Sequence, residues 1–92
     1  MPRPHKQRRV RGNPNSTFFK PTGIPLRTLQ HTKLTLFEFE ALRLKDVEKF
    51  DQQTCAQHMN VSQPTFHRII QTARRKVACA IVKGHTIRIE KQ

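Results

Sequence analysis

Asp51, Asn60, Ser62 and Gly84 restrict what the second half of this chain can become. Asp51 and Ser62 each precede a run that can be helical, and their side-chain oxygens can accept from the free amides of a first helical turn. Asn60 tolerates the left-handed backbone of a tight turn. Gly84 suits a left-handed helix stop. Pro64 falls in the first turn after Ser62, where a missing N–H costs little. The spacing predicts a short helix over 52–59, a turn at Asn60 followed by apolar Val61, and a long helix over 63–83. The short helix carries a small residue, Ala56, expected to be buried. Two helices joined in this way read as a helix-turn-helix, a motif that presents its second helix to a DNA major groove.

The first half supplies a third helix. Thr35 and Glu38 have the spacing of a capping box, which starts a helix over about 36–49. Leu36, Phe39 and Leu42 share one stripe of it, and Phe37, Ala41 and Leu44 another. Two stripes exceed one core face, so either the N-terminal strand or a second subunit must cover the second, and the reading favours the subunit. On the long helix, Phe66, Ile70, Ala73, Val77 and Ile81 have the spacing of a buried seam. Residues 17–20 form a strand candidate closed by Pro21, and 85–90 form a half-buried strand that could pair with it. Pro21–Pro25 is turn chemistry, Leu26–Leu29 suits one helical turn, and Lys33–Thr35 leads into the first helix. The expected fold is mainly α: a three-helix helix-turn-helix domain over 17–92 with a small β element from its N- and C-terminal strands. Residues 1–16 hold three prolines and a glycine among basic residues and read as a flexible basic arm.

Charge narrows the partner. The net charge of +12 on 92 residues is unevenly placed. Residues 1–12 carry five Lys/Arg and no acid, and residues 62–92 carry seven Lys/Arg and one acid, while 36–61 carry three basic and five acidic residues. A polyanion is the expected partner, and on charge alone DNA, RNA or an anionic membrane surface would serve. The longest apolar run, Val77–Val82, is far too short for a membrane span, and the N-terminus lacks the apolar stretch of a signal peptide. Two cysteines make no disulfide framework, which fits a reduced, cytoplasmic protein. A core of this size leaves little stability to spare, so a second subunit or a nucleic acid could help hold it together.

Counted from Gln63, the base-facing positions of a groove-lying helix are Gln63, Pro64, His67, Arg68 and Gln71. Arg68 can donate two parallel hydrogen bonds to guanine, and Gln63 or Gln71 can bracket adenine. Ser62 and Thr65 at the helix start suit a phosphate, and Arg74, Arg75 and Lys76 suit backbone contacts further along. In the arm, Arg3, Lys6, Arg8, Arg9 and Arg11 could enter a minor groove or follow phosphates. The alternative for the helix is an ordinary solvated face, and for the arm a solubilising tail.

Residues 34–77 resemble the helix-turn-helix of the fourth region of sigma factors, of the winged-helix-like class, through Leu34-Thr35, Ala41-Leu42, Ala56, Val61-Ser62, Thr65 and Ala73-Arg74. Over nearly its full length the chain is similar to uncharacterised protein family 0251, also described as domain of unknown function 134. Met1–Pro4, Arg8-Arg-Val10, Phe19–Pro21, Gly23, Pro25-Leu26, Glu40–Leu44, Pro64–Phe66, Ala73–Val77 and Ile87–Ile89 carry that likeness. The resemblance implies a small predicted DNA-binding protein of bacteria or archaea. Some relatives are joined to or sit beside a dinitrogenase iron–molybdenum cofactor biosynthesis-type domain, which these 92 residues do not contain. The chain departs from the pattern at Asn60, where glycine is usual, at Phe37, where an acid is common, and at Cys55 and His58.

The leading expectation is a sequence-specific transcriptional regulator that binds double-stranded DNA as a homodimer on a two-fold site. Against it stand an RNA-binding or ribosome-associated basic protein, and an adaptor whose Phe37/Phe39 stripe contacts a protein such as RNA polymerase. Cys55 and His58 lie one helical turn apart, but structural zinc wants four ligands, so Cys55 reads as core and no metal or other cofactor is expected. Each acid is explained by capping (Glu38, Asp51) or solvation (Glu40, Asp46, Glu48, Glu90). No enzymatic constellation results.

Overall fold

The computed structural model describes residues 8–90. Strand β1 (Phe18–Phe19) leads through a 3₁₀ turn at Leu26–Thr28 to β2 (His31–Thr35). Helix α1 (Leu36–Leu42) follows directly, and a π-helical segment, Arg43–Val47, extends it. Then come α2 (Gln52–Met59), α3 (Gln63–Lys83) and β3 (Thr86–Glu90). The described residues are mainly helical, with three α-helices and a three-stranded sheet.

Each helix start is chemically explicit. Thr35 Oγ1 accepts from the Glu38 amide at 3.1 Å, and the Glu38 carboxylate accepts from the Thr35 amide at 2.9 Å, a complete capping box. Asp51 caps α2 by accepting from the Thr54 amide at 2.7 Å. Ser62 caps α3 by accepting from the Thr65 amide at 3.3 Å. Asn60 after α2 and Gly84 after α3 both take the left-handed conformation.

The first helical stretch differs from the expected 36–49. Its α-form ends at Leu42, and wider turns run to Val47, where the Glu48 amide donates to the Arg43 carbonyl at 2.8 Å. Lys49 then reverses the chain at φ 67°, so the Phe50 amide donates to the Leu44 carbonyl at 3.1 Å. A side chain in that region is strained where glycine is not. Lys49→Gly is therefore expected to raise stability by about 0.5–1 kcal/mol, read as a higher urea midpoint at unchanged slope. A lowered midpoint would show that the Lys49 side chain makes a compensating contact.

β3 occupies the centre of the sheet. It pairs antiparallel with β1, Phe18 opposite Arg88 and Phe19 opposite Ile87, as the sequence predicted for the terminal strands. It also pairs parallel with β2 from His31 opposite Thr86 to Thr35 opposite Glu90. β2 was not expected: its residues read as a lead into α1. Thr35 serves twice, closing the strand and capping the helix.

The two stripes of α1 are both covered within the chain. Ala41 and Leu44, with Phe37 packed alongside, join Cys55, Ala56, Met59, Phe66 and Ile70 in a core between the three helices. Leu36 and Phe39 pack with Leu34, Ala73 and Ile89 in a second core between helices and sheet, and Leu42 touches both. The α3 seam runs as predicted through Phe66, Ile70 and Ala73, and Val77 is half-buried against the sheet. It fails at Ile81, which is 73% exposed, while Ala80 is buried. The chain turns back at Gly84, and the His85 amide donates to the Ala80 carbonyl at 2.8 Å. Ala80 thus lies beneath the returning strand and Ile81 on the rim.

Candidate nucleic-acid interface

The six acids decide which cations remain available. Glu38 caps α1 and also takes the Lys76 ammonium at 2.8 Å. Asp46 receives Arg74 through two hydrogen bonds, at 2.6 and 3.0 Å. Glu40 receives Arg43 through two, at 2.8 and 2.9 Å. Glu48 lies 3.8 Å from Arg43 and Glu90 3.8 Å from Lys33. Asp51 caps α2. Every acid is engaged. Among the described residues most cations therefore lack an acid for their side chains, and the guanidinium groups of Arg9, Arg11, Arg68 and Arg75 are among these.

The long, outward face of α3 collects most of the residues singled out from the sequence. Gln63, Pro64, His67, Arg68 and Gln71 are all exposed, as is Arg75 one turn beyond. Ser62 is exposed at the cap, and Thr65 beside it is half-buried. The Arg68 guanidinium donates weakly to Thr65 Oγ1 at 3.4 Å, which leaves most of its donors directed outward. His67 is joined across the helix pair, with the Gln52 side-chain amide 3.2 Å from its Nδ1. That contact ties the first turn of α2 to the outward face of α3, a link not foreseen from the sequence.

Arg74 and Lys76 differ from Arg68 and Arg75 in having acidic partners. The carboxyl of Asp46 is held below its ordinary range chiefly by its hydrogen bonds from Arg74, and Arg74 is raised in return. Lys76 bridges α3 to the start of α1. Both cations are already committed to the body of the protein.

Glu40 is the main departure from the sequence reading, which placed it on the helix surface. Its side chain is fully buried and accepts from four donors: two on Arg43, plus the backbone amides of Arg11 at 3.0 Å and Gly12 at 3.1 Å. Burial works against its charged form, but the Arg43 guanidinium and the two amides outweigh it, holding the carboxyl below its ordinary range. Arg43 is raised by the same pair.

The consequence lies in the basic segment. The Arg9 amide donates to the Met59 carbonyl at 2.9 Å, at the end of α2. The Arg8 guanidinium sits 4.9 Å over the Phe37 ring. Residues 8–12 therefore lie against the helices at defined points, with the Arg8, Arg9 and Arg11 side chains exposed. Arg3 and Lys6 lie outside the described residues. Phe37 and Phe39 are half-buried, one under Arg8 and in the helical core, the other against the sheet, so α1 lacks the exposed aromatic stripe that the adaptor alternative needs.

Cys55 lies in the core, where burial raises its thiol, and its Sγ–H donates to the Phe50 carbonyl at 3.6 Å. His58 instead stacks on Phe50, ring centroids 5.2 Å apart. Among the described residues no group of three or more His, Cys, Asp or Glu is placed to hold a metal ion. No helix among them is long and apolar enough to cross a membrane.

The model of the family described as "Protein of unknown function DUF134" matches residues 1–91. The chain belongs to that family. It is 57% identical over 90 residues to a UPF0251 protein of Caldanaerobacter subterraneus subsp. tengcongensis, covering 98% of this chain and 76% of that protein. It is 56% identical over 90 residues to a UPF0251 protein of Thermoanaerobacter pseudethanolicus, with the same coverage of both. A UPF0251 protein of Pelotomaculum thermopropionicum is 52% identical over 89 residues, covering 97% of this chain and 67% of that protein. No solved structure matches the chain.

Proposed function

We propose that this DUF134 protein binds double-stranded DNA in a sequence-specific manner and regulates transcription, with α2, the Asn60 turn and α3 acting as a helix-turn-helix. One observation carries the reading: the outward face of α3 presents Gln63, His67, Arg68, Gln71 and Arg75, and neither Arg68 nor Arg75 is paired with an acid. In this reading Arg68 reads a guanine, Gln63 or Gln71 reads an adenine, and Pro64 and His67 lie along the same base edges. Ser62, Thr65 and Arg75 meet phosphates. Arg74 and Lys76 reach the backbone only by leaving Asp46 and Glu38.

Two copies would bind half-sites about one helical turn apart. Phe19 and Ile81 support pairing of copies: both are more than half exposed, and they line one shallow groove with Pro21 and Ile87.

Selection from random duplex DNA, run beside a random RNA pool, tests the reading. An enriched palindromic duplex is expected. Enrichment from the RNA pool alone would overturn it. On the selected duplex, Arg68→Ala is expected to lose ~1–3 kcal/mol of binding free energy and to relax one base position. Unchanged sequence preference would remove Arg68 from the reading surface.

A further inference from the structure

Arg9 and Arg11 converge with Gln57 and His58 of α2 around an open cleft of about 170 Å³. The convergence is enforced. The Arg9 amide is fixed to Met59, and the Arg11 and Gly12 amides are fixed to Glu40, so the backbone between these anchors holds both guanidinium stems on the same side of α2. Neither guanidinium has an acidic partner among the described residues. Gln57 adds amide donors and His58 a ring nitrogen. Hydrogen-bond donors around a small open cleft suit an oxyanion with several acceptor oxygens.

We infer that buried Glu40 tethers the basic segment to build a phosphate-binding cleft from Arg9, Arg11, Gln57 and His58, whose ligand is a backbone phosphate of bound duplex DNA. This rests on the DNA-binding reading above and assigns it a second contact, apart from the base-reading face of α3. The tether has a specific requirement at Gly12. A Cβ there would fall 2.8 Å from Glu40 Oε1 and closer still to the Arg43 side chain, which its paired hydrogen bonds hold in place. Even alanine must displace the segment or break the pair.

The test compares wild type, R9Q/R11Q, Gly12→Ala and Glu40→Gln for affinity against salt on one duplex, after thermal melting has shown which variants fold. R9Q/R11Q is expected to flatten the slope of log affinity against log salt by about two units. Gly12→Ala leaves the charge at +12 and is expected to weaken binding roughly fivefold, the loss of about one good hydrogen bond. Glu40→Gln adds one positive unit, so a free basic tail would make it bind more tightly, whereas the tether makes it bind more weakly. Gly12→Ala with wild-type affinity, or a tighter Glu40→Gln, overturns the proposal. If wild type binds no duplex, the DNA reading fails and inorganic phosphate decides the cleft. Phosphate-dependent NMR shifts at Arg9, Arg11 and His58 that Gly12→Ala abolishes support it as an anion site, and their absence overturns it.

Discussion

Phe66→Ala is expected to remove about 3–5 kcal/mol of stability, the cost of emptying a well-packed aromatic site. Phe66 is fully buried between α1 and α2, against the core of Ala41, Leu44, Cys55, Ala56, Met59 and Ile70. A domain of this kind has about 5–15 kcal/mol in total, so the substitution consumes much of it. Ile81→Ala makes the control. Ile81 belongs to the same predicted helical seam but is 73% exposed, and its loss is expected to change stability by less than about 0.5 kcal/mol. Urea denaturation of the two variants reads the difference directly. Similar losses at both positions would show that α3 buries Ile81 in solution, through a second copy or otherwise.

Glu40→Ala is the second large effect, expected at about 3 kcal/mol near neutral pH, because it leaves the Arg43 guanidinium and two amides without their acceptor. Arg43 is partly exposed and keeps Glu48 at 3.8 Å, which places the loss at the low end for a broken buried pair. The effect is pH-dependent with a definite sign. The folded-state carboxyl lies below its ordinary value of about 4.3, so Glu40 stabilises fully above that value. The contribution is lost as pH falls through about 4 toward the lowered folded value. The gap between wild type and Glu40→Ala should therefore be constant from pH 7 to about 5 and narrow below it. Asp46, lowered by Arg74, adds its own acid-side loss in both proteins and cancels in the difference. A gap independent of pH down to 3 would mean that the Glu40 charge is not what holds the segment.

The parts of this fold legible in the sequence are those decided within a few residues. Thr35 with Glu38, Asp51, Asn60, Ser62 and Gly84 each act on their own turn of chain, and each performs the predicted role. The terminal strand pair was legible because β1 and β3 carry strand residues bounded by Pro21 and Gly84. β2 was not: His31–Thr35 contains one apolar residue, Leu34, and becomes a strand only by meeting β3 more than fifty residues later. Glu40 was misread for a similar reason. A carboxylate beside Arg43 on a helix reads as a solvated pair, and only the passage of residues 11 and 12 over it makes it an interior group. Glu40 and Arg43, three apart and flanked by apolar stripes, were the available hint. On the candidate interface, the periodicity of α3 was sufficient to find its outward residues. The pairing of Arg74 and Lys76 depends on acids of α1 and its extension, which lie far off in sequence.

The position of β3 has a consequence for biosynthesis. Both flanking strands pair with it among the described residues, so a nascent chain emerging from the ribosome can close its helical core, whose last buried member is Ile70, before it can close its sheet. Until residue 90 has cleared the exit tunnel, Leu34 and Phe39 lack the Ile89 side of their core. A stalled or prematurely terminated product would carry the positively charged helix with an unsealed apolar flank, the kind of species that quality-control proteases recognise.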